Sequence, residues 1–284
     1  MAGELSTALH TVQWFKYESL GNDLLIVDVS KDTKTWQLIE QAAQTRESLD
    51  IVALVADRHR GIGSDGVLFI GPDDQVYFYN TDGSIGDVCM NGARTLGLFF
   101  KQQRGLNTFP LHIRMGSKNV VVDFKDDMWW SGIGVQSAEV QALSVVSQNK
   151  QFDGCFIHIG NPHFINFEHT DVRARDAALI EYGHDVCTHQ DFVQGANISF
   201  VCHINQSTYD VYTYERGCGL TLACSSALCA IMKLLYTQNM VAKNIIIDFK
   251  LKGGEAHAFI DEHDFVYIGA PVQAVFVGKL LIEF

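Results

Sequence analysis

Two cysteines in the sequence follow the same local pattern at the same spacing. Residues 76–80 read Val-Tyr-Phe-Tyr-Asn and are followed nine residues later by Cys89, and residues 211–215 read Val-Tyr-Thr-Tyr-Glu and are followed nine residues later by Cys224. Each pattern predicts a strand, a turn that contains glycine, and a helix after the cysteine. Two thiols on opposite sides of one carbon atom can remove a proton from one side and return a proton to the other. The repeat therefore indicates the inversion of a stereocentre without a cofactor, in a cleft between two half-domains.

The position of both cysteines at a predicted helix start suits this chemistry. The helix dipole and the unpaired N–H groups of the first turn favour a thiolate. The same N–H groups bind anions, so a substrate carboxylate would bind beside the thiol. The seven cysteines include no Cys-x-x-Cys pair, so neither a zinc site nor a thioredoxin motif is indicated. We expect core packing for four of the others, Cys155, Cys187, Cys202 and Cys229.

Polar residues near strand ends are the other candidates. His163 follows the turn Gly160-Asn161-Pro162 and would be a base partner that holds a cysteine as thiolate. Glu215-Arg216 stands at a strand end, where an acid and a base also form ordinary surface ion pairs.

Three asparagines also lie at turns beside strands, where Asn is a normal turn residue. They are Asn22, Asn80 and Asn197. A pocket for a zwitterionic amino acid needs such neutral donors and acceptors, because both a carboxylate and an ammonium group must be satisfied.

Composition excludes several classes of partner. The chain has 284 residues, 47% of them hydrophobic, and a formal net charge of −12 from 33 acids and 21 bases. An acidic balance argues against nucleic acid and against anionic membranes. No apolar run approaches the ~20 residues that span a bilayer. The start, Met1-Ala2-Gly3-Glu4, lacks a basic and then apolar leader, so we expect no signal peptide and a cytoplasmic location.

Period-two and helical patterns alternate along the chain and predict an α+β protein of two half-domains. We place the first at residues 1–128, with a C-terminal strand at 272–284 joining it, and the second at 129–271. Residues 129–151 are poor in helix signals and are the expected crossover between the two. The predicted helices are 35–45, 49–59, one after Cys89, 173–182 and 225–237. The predicted strands are 12–17, 24–28, 67–70, 76–79, 111–115, 119–124, 155–159, 164–167, 198–204, 209–215, 244–249, 256–260 and 265–269.

The motifs together resemble the diaminopimelate epimerase family, in the family's order and over nearly the whole chain. The residues that carry the resemblance are Trp14-Phe15-Lys16, Leu20-Gly21-Asn22-Asp23, Ala56-Asp57-Arg58-His59-Arg60-Gly61-Ile62-Gly63, Asn80-Thr81-Asp82-Gly83-Ser84, Cys89, Asn91-Gly92-Ala93-Arg94, Gly160-Asn161-Pro162-His163, Gly195-Ala196-Asn197 and Tyr214-Glu215-Arg216-Gly217.

The resemblance implies two pseudo-symmetric halves, each a curved, mostly antiparallel sheet or barrel around a central helix, with the active site in the cleft between them. It implies an isomerase that interconverts L,L- and meso-2,6-diaminopimelate without pyridoxal phosphate or metal, in the biosynthesis of lysine and peptidoglycan precursors. Cys89, assisted by His163, and Cys224, assisted by Glu215, would be the two acid/base groups. The substrate would be bound by Asn22, Asn80, Met90, Asn91, Asn161, Asn197, Glu215, Arg216, Ser225 and Ser226. We expect a small amino-acid substrate and assembly as a homodimer.

Three positions depart from the family's usual pattern. Met90 and Ser225 replace glycines that follow the two cysteines, and Leu220 stands where the family usually carries Glu. Glycine lets the backbone approach a substrate carboxylate closely, so added side chains would crowd that anion site. Two alternatives therefore stay open beside the epimerase. One is a racemase of another polar amino acid on the same fold, and the other is an inactive paralogue that serves as a binding module.

Overall fold

The computed structural model describes residues 12–168 and 170–280, together with Leu5, Ala8 and Leu9. The chain forms two compact units. The first consists of residues 1–131 and 271–284, and the second of residues 132–270. Residues 1–4, and residues 281–284 at the end of the predicted terminal strand, lie outside the described part of the chain.

The first unit contains three helices and a mixed sheet among its described residues. Its helices are α1 Thr33–Thr45, α2 Asp50–Ala56 and α3 Met90–Arg104. Its strands are β1 Trp14–Ser19, β2 Asn22–Asp28, β3 Gly66–Ile70, β4 Gln75–Asn80, β5 Ile85–Gly86, β6 Leu111–Met115 and β7 Lys118–Lys125, with β8 Met128–Gly134 running across the unit boundary. The late strand β18 Gln273–Gly278 returns to this unit and pairs antiparallel with β1.

The second unit has the same kinds of elements in the part of the chain that is described. Its helices are α4 Val172–Cys187 and α5 Ser225–Thr237. Its strands are β9 Val140–Ser147, β10 Lys150–His158, β11 Pro162–Asn166, β12 Asn197–Asn205, β13 Thr208–Glu215, β14 Gly219–Thr221, β15 Ile247–Leu251, β16 Gly254–Ile260 and β17 Phe265–Ala270.

Strand pairing shows that the two units share one topology. In the first unit β1 pairs antiparallel with β2, β2 parallel with β3, β3 antiparallel with β4, and β4 antiparallel with β5 and parallel with β6. In the second unit β10 to β15 repeat these pairings in the same order. The predicted class, α+β with mostly antiparallel pairing in two similar halves, is confirmed.

Each cysteine is followed by a helix that lies on the inner face of its own sheet. Helix α3 contacts β1, β2, β7 and β18, which are strands from both ends of the first sheet. Helix α5 likewise contacts β10, β11, β16 and β17 of the second. Other helices cover the outer faces, where α1 and α2 share a core with Trp14, Phe69 and Tyr79, and α4 packs on Phe152 and Phe200. Alternate residues of each strand therefore serve two separate cores.

The structure corrects two details of the predicted elements. Residues 129–151, expected to be the crossover and predicted to hold no helix, also hold most of strand β8 and all of strand β9, which were not predicted. The predicted helix 49–59 ends at Ala56, because Asp57 is extended and its carboxylate accepts the N–H groups of His59 and Arg60, both at 2.8 Å. Among the described residues, no helix combines the length and apolar character that a membrane span requires.

The close approach of α3 to its sheet yields a stability test. A Cβ on Gly97 would lie 2.5 Å from the indole ring of Trp129 and 2.7 Å from Val122 Cγ1. Gly97→Ala should therefore lower the melting temperature, since overpacking costs about 1–3 kcal/mol and outweighs the gain of about 1 kcal/mol in helix propensity. Thermal denaturation would show this, with Gln37→Ala on the exposed face of α1 as a near-neutral control. A higher melting temperature for Gly97→Ala would contradict the tight packing.

Candidate active site

Cys89 is the N-cap residue of α3. Its backbone is extended, with φ −119° and ψ 102°, and its Sγ accepts the N–H of Gly92 at 3.3 Å. The Cys89 N–H in turn donates to Met115 Sδ at 3.1 Å. The sulfur thus takes the place that a Ser or Asp oxygen occupies in an ordinary cap. It is half-buried at the positive end of the helix dipole.

Cys224 is the N-cap residue of α5, with nearly the same backbone angles, φ −122° and ψ 99°. It is more enclosed than Cys89, with 5% of its surface exposed. Its Sγ lies 3.3 Å from Ser226 Oγ. The prediction that each cysteine begins a helix is therefore confirmed at both positions.

Electrostatics around Cys224 keep its sulfur protonated. Burial raises the pKa of the Cys224 thiol well above its ordinary value, and the negative charge of Glu215 raises it further. Hydrogen bonding from Ser226 and from the N–H of Ala227 opposes this shift without cancelling it. The Glu215 carboxylate also accepts a hydrogen bond from the Cys224 thiol, and this bond raises the pKa of the thiol as well. The Cys224 thiol and the Glu215 carboxylate are therefore coupled, and the coupling favours a proton on the sulfur.

The register of the second sheet brings three predicted residues into one row. His163 on β11 is the parallel partner of Asn197 on β12. Ile198 and Tyr214 are antiparallel partners on β12 and β13, so the next pair outward is Asn197 and Glu215. Side chains in one row of a sheet share a face. The row ends at Glu215, which begins the turn to Cys224.

Hydrogen bonds fix the end of this row. Asn197 is buried, and its Oδ1 accepts the backbone N–H of Arg216 at 2.9 Å. The guanidinium of Arg216 is exposed and donates to the Gln194 carbonyl at 2.9 Å. Glu215 Oε1 accepts the Thr221 hydroxyl at 2.7 Å. The amide of Asn197 is thereby oriented, since its oxygen is engaged and its Nδ2 remains the donor.

His163 lies wholly inside the second unit. Burial, and then the nearby charge of His158, lower the pKa of His163 to about 3. Neither ring nitrogen has a hydrogen-bond partner among the described residues. The imidazole is therefore neutral at physiological pH and would act by accepting or donating a hydrogen bond rather than as a cation.

The equivalent row of the first unit is mostly apolar. Leu24 pairs with Gly66, and Gly66 pairs with Asn80 at the end of β4. Asn80 thus occupies the place of Glu215, and Leu24 the place of His163. The Asn80 Nδ2 donates to Ser84 Oγ at 3.1 Å within the turn that leads to Cys89.

The first turn of α3 is braced by an interior arginine. Arg94 is fully buried and donates to the hydroxyls of Ser19 and Ser131, at 3.2 and 3.1 Å, and to Asn91 Oδ1. Asn91 is therefore held as a donor through its Nδ2. Met90 is also buried, so its side chain fills the interior of the unit.

The remaining predicted residues occupy three turns. Asn22 begins β2 after a two-residue hairpin turn in which Leu20 and Gly21 both have positive φ, 57° and 77°. Asn161 follows Gly160, whose φ is 94°. In the first turn of α5, Ser225 is buried and Ser226 contacts the thiol.

Sequence reasoning missed three side chains that hold site residues in place. Thr221 bonds Glu215, and Arg58 with Asp65 forms an ionic network beside Asn22. Arg58 stood within a quoted motif, but its partner lies seven residues away and no local pattern marks it. Within the described part of the chain, no three His, Cys, Asp or Glu side chains converge as a metal site would require.

Solved structures with a similar fold include a probable racemase and an epimerase. A probable proline racemase from Agrobacterium radiobacter is 9% identical, with a TM-score of 0.68 over 96% of this chain and 94% of that one. A hydroxyproline epimerase from Agrobacterium vitis is 10% identical, with a TM-score of 0.66 over 95% and 90%. Identities this low establish the shared fold.

Sequence comparison finds similar proteins along nearly the whole chain. The family model described as diaminopimelate epimerase matches residues 155–274. Diaminopimelate epimerases from Leptospira biflexa and Methanococcus maripaludis are each 28% identical over 95% of this chain and 99% of the relative. The chloroplastic diaminopimelate epimerase of rice is 27% identical over 97% of this chain and 81% of its own length. The chain is therefore similar to diaminopimelate epimerases over nearly its whole length, so the resemblance found in its motifs is confirmed, as is the expected class of enzyme, an isomerase.

The pairing of Glu215 with Cys224 yields a pH test. Glu215→Gln removes the negative charge that raises the pKa of Cys224, so the thiol should titrate at lower pH than in the wild type. Thiolate absorbance in the ultraviolet, read as the difference from a Cys224→Ser variant, measures this titration. Glu181→Gln, on the exposed side of α4, is the matched control and should change nothing. An unchanged pKa of the Cys224 thiol in Glu215→Gln would show that the charge of Glu215 does not act on this thiol.

Proposed function

We propose that the protein is a diaminopimelate epimerase, which interconverts L,L- and meso-2,6-diaminopimelate in lysine and peptidoglycan precursor biosynthesis. The observation that carries the proposal is the pair of inner helices capped by cysteine, one in each unit. Each cysteine follows the end of a strand, β4 or β13, by nine residues along the chain. The relatives named for this reaction match nearly the whole chain, both cysteines included in the aligned span.

The proposed reaction is a two-base proton exchange at the α-carbon. The thiolate of one cysteine removes the α-proton, and the thiol of the other delivers its proton to the opposite face. Bonds balance, because one C–H breaks and one forms while the proton count of the two sulfurs is conserved. Cys224, whose pKa is raised by burial and by Glu215, suits the role of proton donor in the free enzyme. Cys89, which accepts an N–H at its helix start, suits the role of base.

The helix N-termini also account for how the developing charge is tolerated. Removal of the α-proton places negative charge on the α-carbon and its carboxylate. Backbone N–H groups in the first turns of α3 and α5 are preorganised donors for that charge. Asn91, held as a donor by Arg94, adds a side-chain N–H in the same turn of α3.

The second unit supplies the groups proposed to hold the far end of the substrate. Diaminopimelate carries a second zwitterion that does not react. The guanidinium of Arg216 and the Nδ2 donor of Asn197 suit its carboxylate, and Asn161 lies in the neighbouring turn. Asn22 and Asn80 are the corresponding groups of the first unit.

A racemase of another polar amino acid is the second candidate. Two of the similar structures act on proline or hydroxyproline by their descriptions, and Met90, Ser225 and Leu220 depart from the usual family pattern. A third candidate, an inactive binding module, has no use for two thiols at equivalent positions. A coupled assay with L,L-diaminopimelate beside a panel that includes proline and other polar amino acids distinguishes the three. Turnover of a different amino acid alone would establish the racemase, and no turnover with retained binding would establish the module.

Both cysteines should be required for turnover. Cys89→Ala and Cys224→Ala should each reduce epimerisation to background, because either change leaves one face of the carbon without an acid or base. Cys155→Ala is the matched control, since Cys155 is a half-buried thiol whose pKa is raised by burial and which caps no helix. Circular dichroism should show all three variants folded. Near-normal turnover in either helix-cap variant would exclude the two-thiol reaction.

The hydroxyl that holds Glu215 should matter as well. Thr221→Val removes one hydrogen bond to the Glu215 carboxylate, and a bond of this charged kind contributes about 1.5–3 kcal/mol. We expect kcat/KM to fall by roughly tenfold or more, with Thr221→Ser close to the wild type. Thr213→Val serves as control, because Thr213 shares β13 with Glu215 but bonds Ser199. An equal loss in both Val variants would indicate damage to the strand rather than to Glu215.

We propose that the protein is a homodimer in the cytoplasm. A homodimer is expected, and light scattering after gel filtration measures it. Strand β18 exposes Val275, Phe276 and Val277, which makes them the first positions to substitute with charged residues in that measurement.

A cytoplasmic location suits a reaction that requires two free thiols, because a reducing compartment keeps thiols from forming disulfides.

A further inference from the structure

The amide of Asn22 has its two ends in different environments. Its Nδ2 donates to Asp65 Oδ2 at 3.3 Å, and the Asp23 N–H donates to the same oxygen at 3.0 Å. Its Oδ1 is buried and accepts no hydrogen bond from any described residue. A buried acceptor without a donor costs about 1–3 kcal/mol, so such an atom calls for a partner from outside the chain.

An ionic network fixes the carboxylate that faces Asn22. Arg58 bridges the two acids, 2.6 Å from Asp23 Oδ1 and 2.7 Å from Asp65 Oδ1. Lys16 lies 2.7 Å from Asp23 Oδ2 and also donates to the Gly63 carbonyl at 2.7 Å. The oxygen of Asp65 that faces Asn22 therefore cannot turn away without breaking a bond to Arg58.

Both carboxylates of the network accept hydrogen bonds, and in Asp65 the Oδ1 atom accepts from Arg58 while the Oδ2 atom accepts the N–H of Asp23. Burial alone would raise the pKa of Asp23, but hydrogen bonds from Arg58 and Lys16 hold it well below its usual value. Burial and the adjacent Asp23 raise the pKa of Asp65, while the N–H of Asp23 and the charge of Arg58 oppose that rise. A carboxylate that only accepts must face the NH2 end of Asn22, because the reverse orientation would set oxygen against oxygen.

We propose that Asp65 is a positioning residue that fixes the amide of Asn22 so that its Oδ1 accepts an N–H of the substrate's ammonium group. This inference rests on the proposed function for the identity of the substrate and deepens it, since it assigns the polarity of one contact. An ammonium carries only donors, so it matches a fixed acceptor and would be repelled by the NH2 end of a reversed amide. Asp65 itself does not contact the substrate and acts only through its hydrogen bond with Asn22.

The decisive variant is Asp65→Asn, which nearly preserves shape and lets Asn22 turn either way. We expect KM for L,L-diaminopimelate to rise about tenfold, the loss of one charge-assisted hydrogen bond, while kcat changes less than about twofold. Asp74→Asn is the matched control, because Asp74 is an ion-paired carboxylate of the same unit whose partner is Arg104. Ser64→Ala is a second control, because the Ser64 hydroxyl precedes Asp65 and is buried without a partner among the described residues.

A swapped pair separates positioning from stability. In the double variant Asn22→Asp with Asp65→Asn, the amide NH2 comes from residue 65 and a carboxylate acceptor faces the substrate at residue 22. KM should return to near the wild-type value. The ion pair between Arg58 and residue 65 is still absent in the double variant, so its melting temperature should stay below that of the wild type. An unchanged KM in folded Asp65→Asn, an equal rise in Asp74→Asn or Ser64→Ala, or a swapped pair without recovery would each overturn the proposal.

A readout independent of turnover uses the wild-type protein. The side-chain amide signal of Asn22 in a proton–nitrogen NMR spectrum, assigned by its loss in Asn22→Asp, should show one proton shifted downfield by the carboxylate. Absence of that shift would overturn the orientation of Asn22 whatever the single variants do. If the shift is present and the wild type does not turn over diaminopimelate, the proposed substrate fails while the orientation by Asp65 stands.

Discussion

The reaction proposed for this protein depends on where two helices begin. A helix enclosed by its own sheet has its first turn fixed by the strands around it, so a residue at its N-cap is held with little freedom. In both units that residue is a cysteine with extended backbone angles within a few degrees of the other. The sheet therefore supplies rigidity, the helix supplies N–H donors and a positive dipole, and the cysteine supplies the reactive atom. Neither thiol needs a flexible loop to reach its position.

The shared topology makes the differences between the units informative. Matched rows of the two sheets carry Leu24, Gly66 and Asn80 in one unit and His163, Asn197 and Glu215 in the other. One cysteine thus follows a neutral amide, whereas the other follows a carboxylate that raises its pKa. Equivalent backbones give the two sulfurs the same setting, but only Cys224 has the charged side chain of Glu215 at the equivalent position, and that charge raises the pKa of the Cys224 thiol.

Local patterns in the sequence were sufficient for much of this. The bounds of α5 agree with the prediction of 225–237 because two serines and then an apolar run follow Cys224, and the run ends at polar residues. The cysteine caps followed from the repeated spacing. Strands β8 and β9 were missed because they are strands in the sheet only through partners that the local sequence does not reveal. For the same reason no local pattern predicted the roles of Asp65 and Thr221. Asp65 bonds Asn22, which is 43 residues away, and Thr221 bonds Glu215 across a turn.

The raised pKa of the Cys224 thiol has a kinetic consequence for the proposed reaction. Each turnover leaves the enzyme with its proton on the opposite sulfur, so the free enzyme exists as two proton isomers. Because one isomer is favoured by Glu215 and by the enclosure of Cys224, the enzyme released in one direction of reaction is in its less stable form. It must exchange protons with solvent, or take up product and run backwards, before it can begin again. The equilibrium constant is untouched, but the two directions need not share the same limiting step.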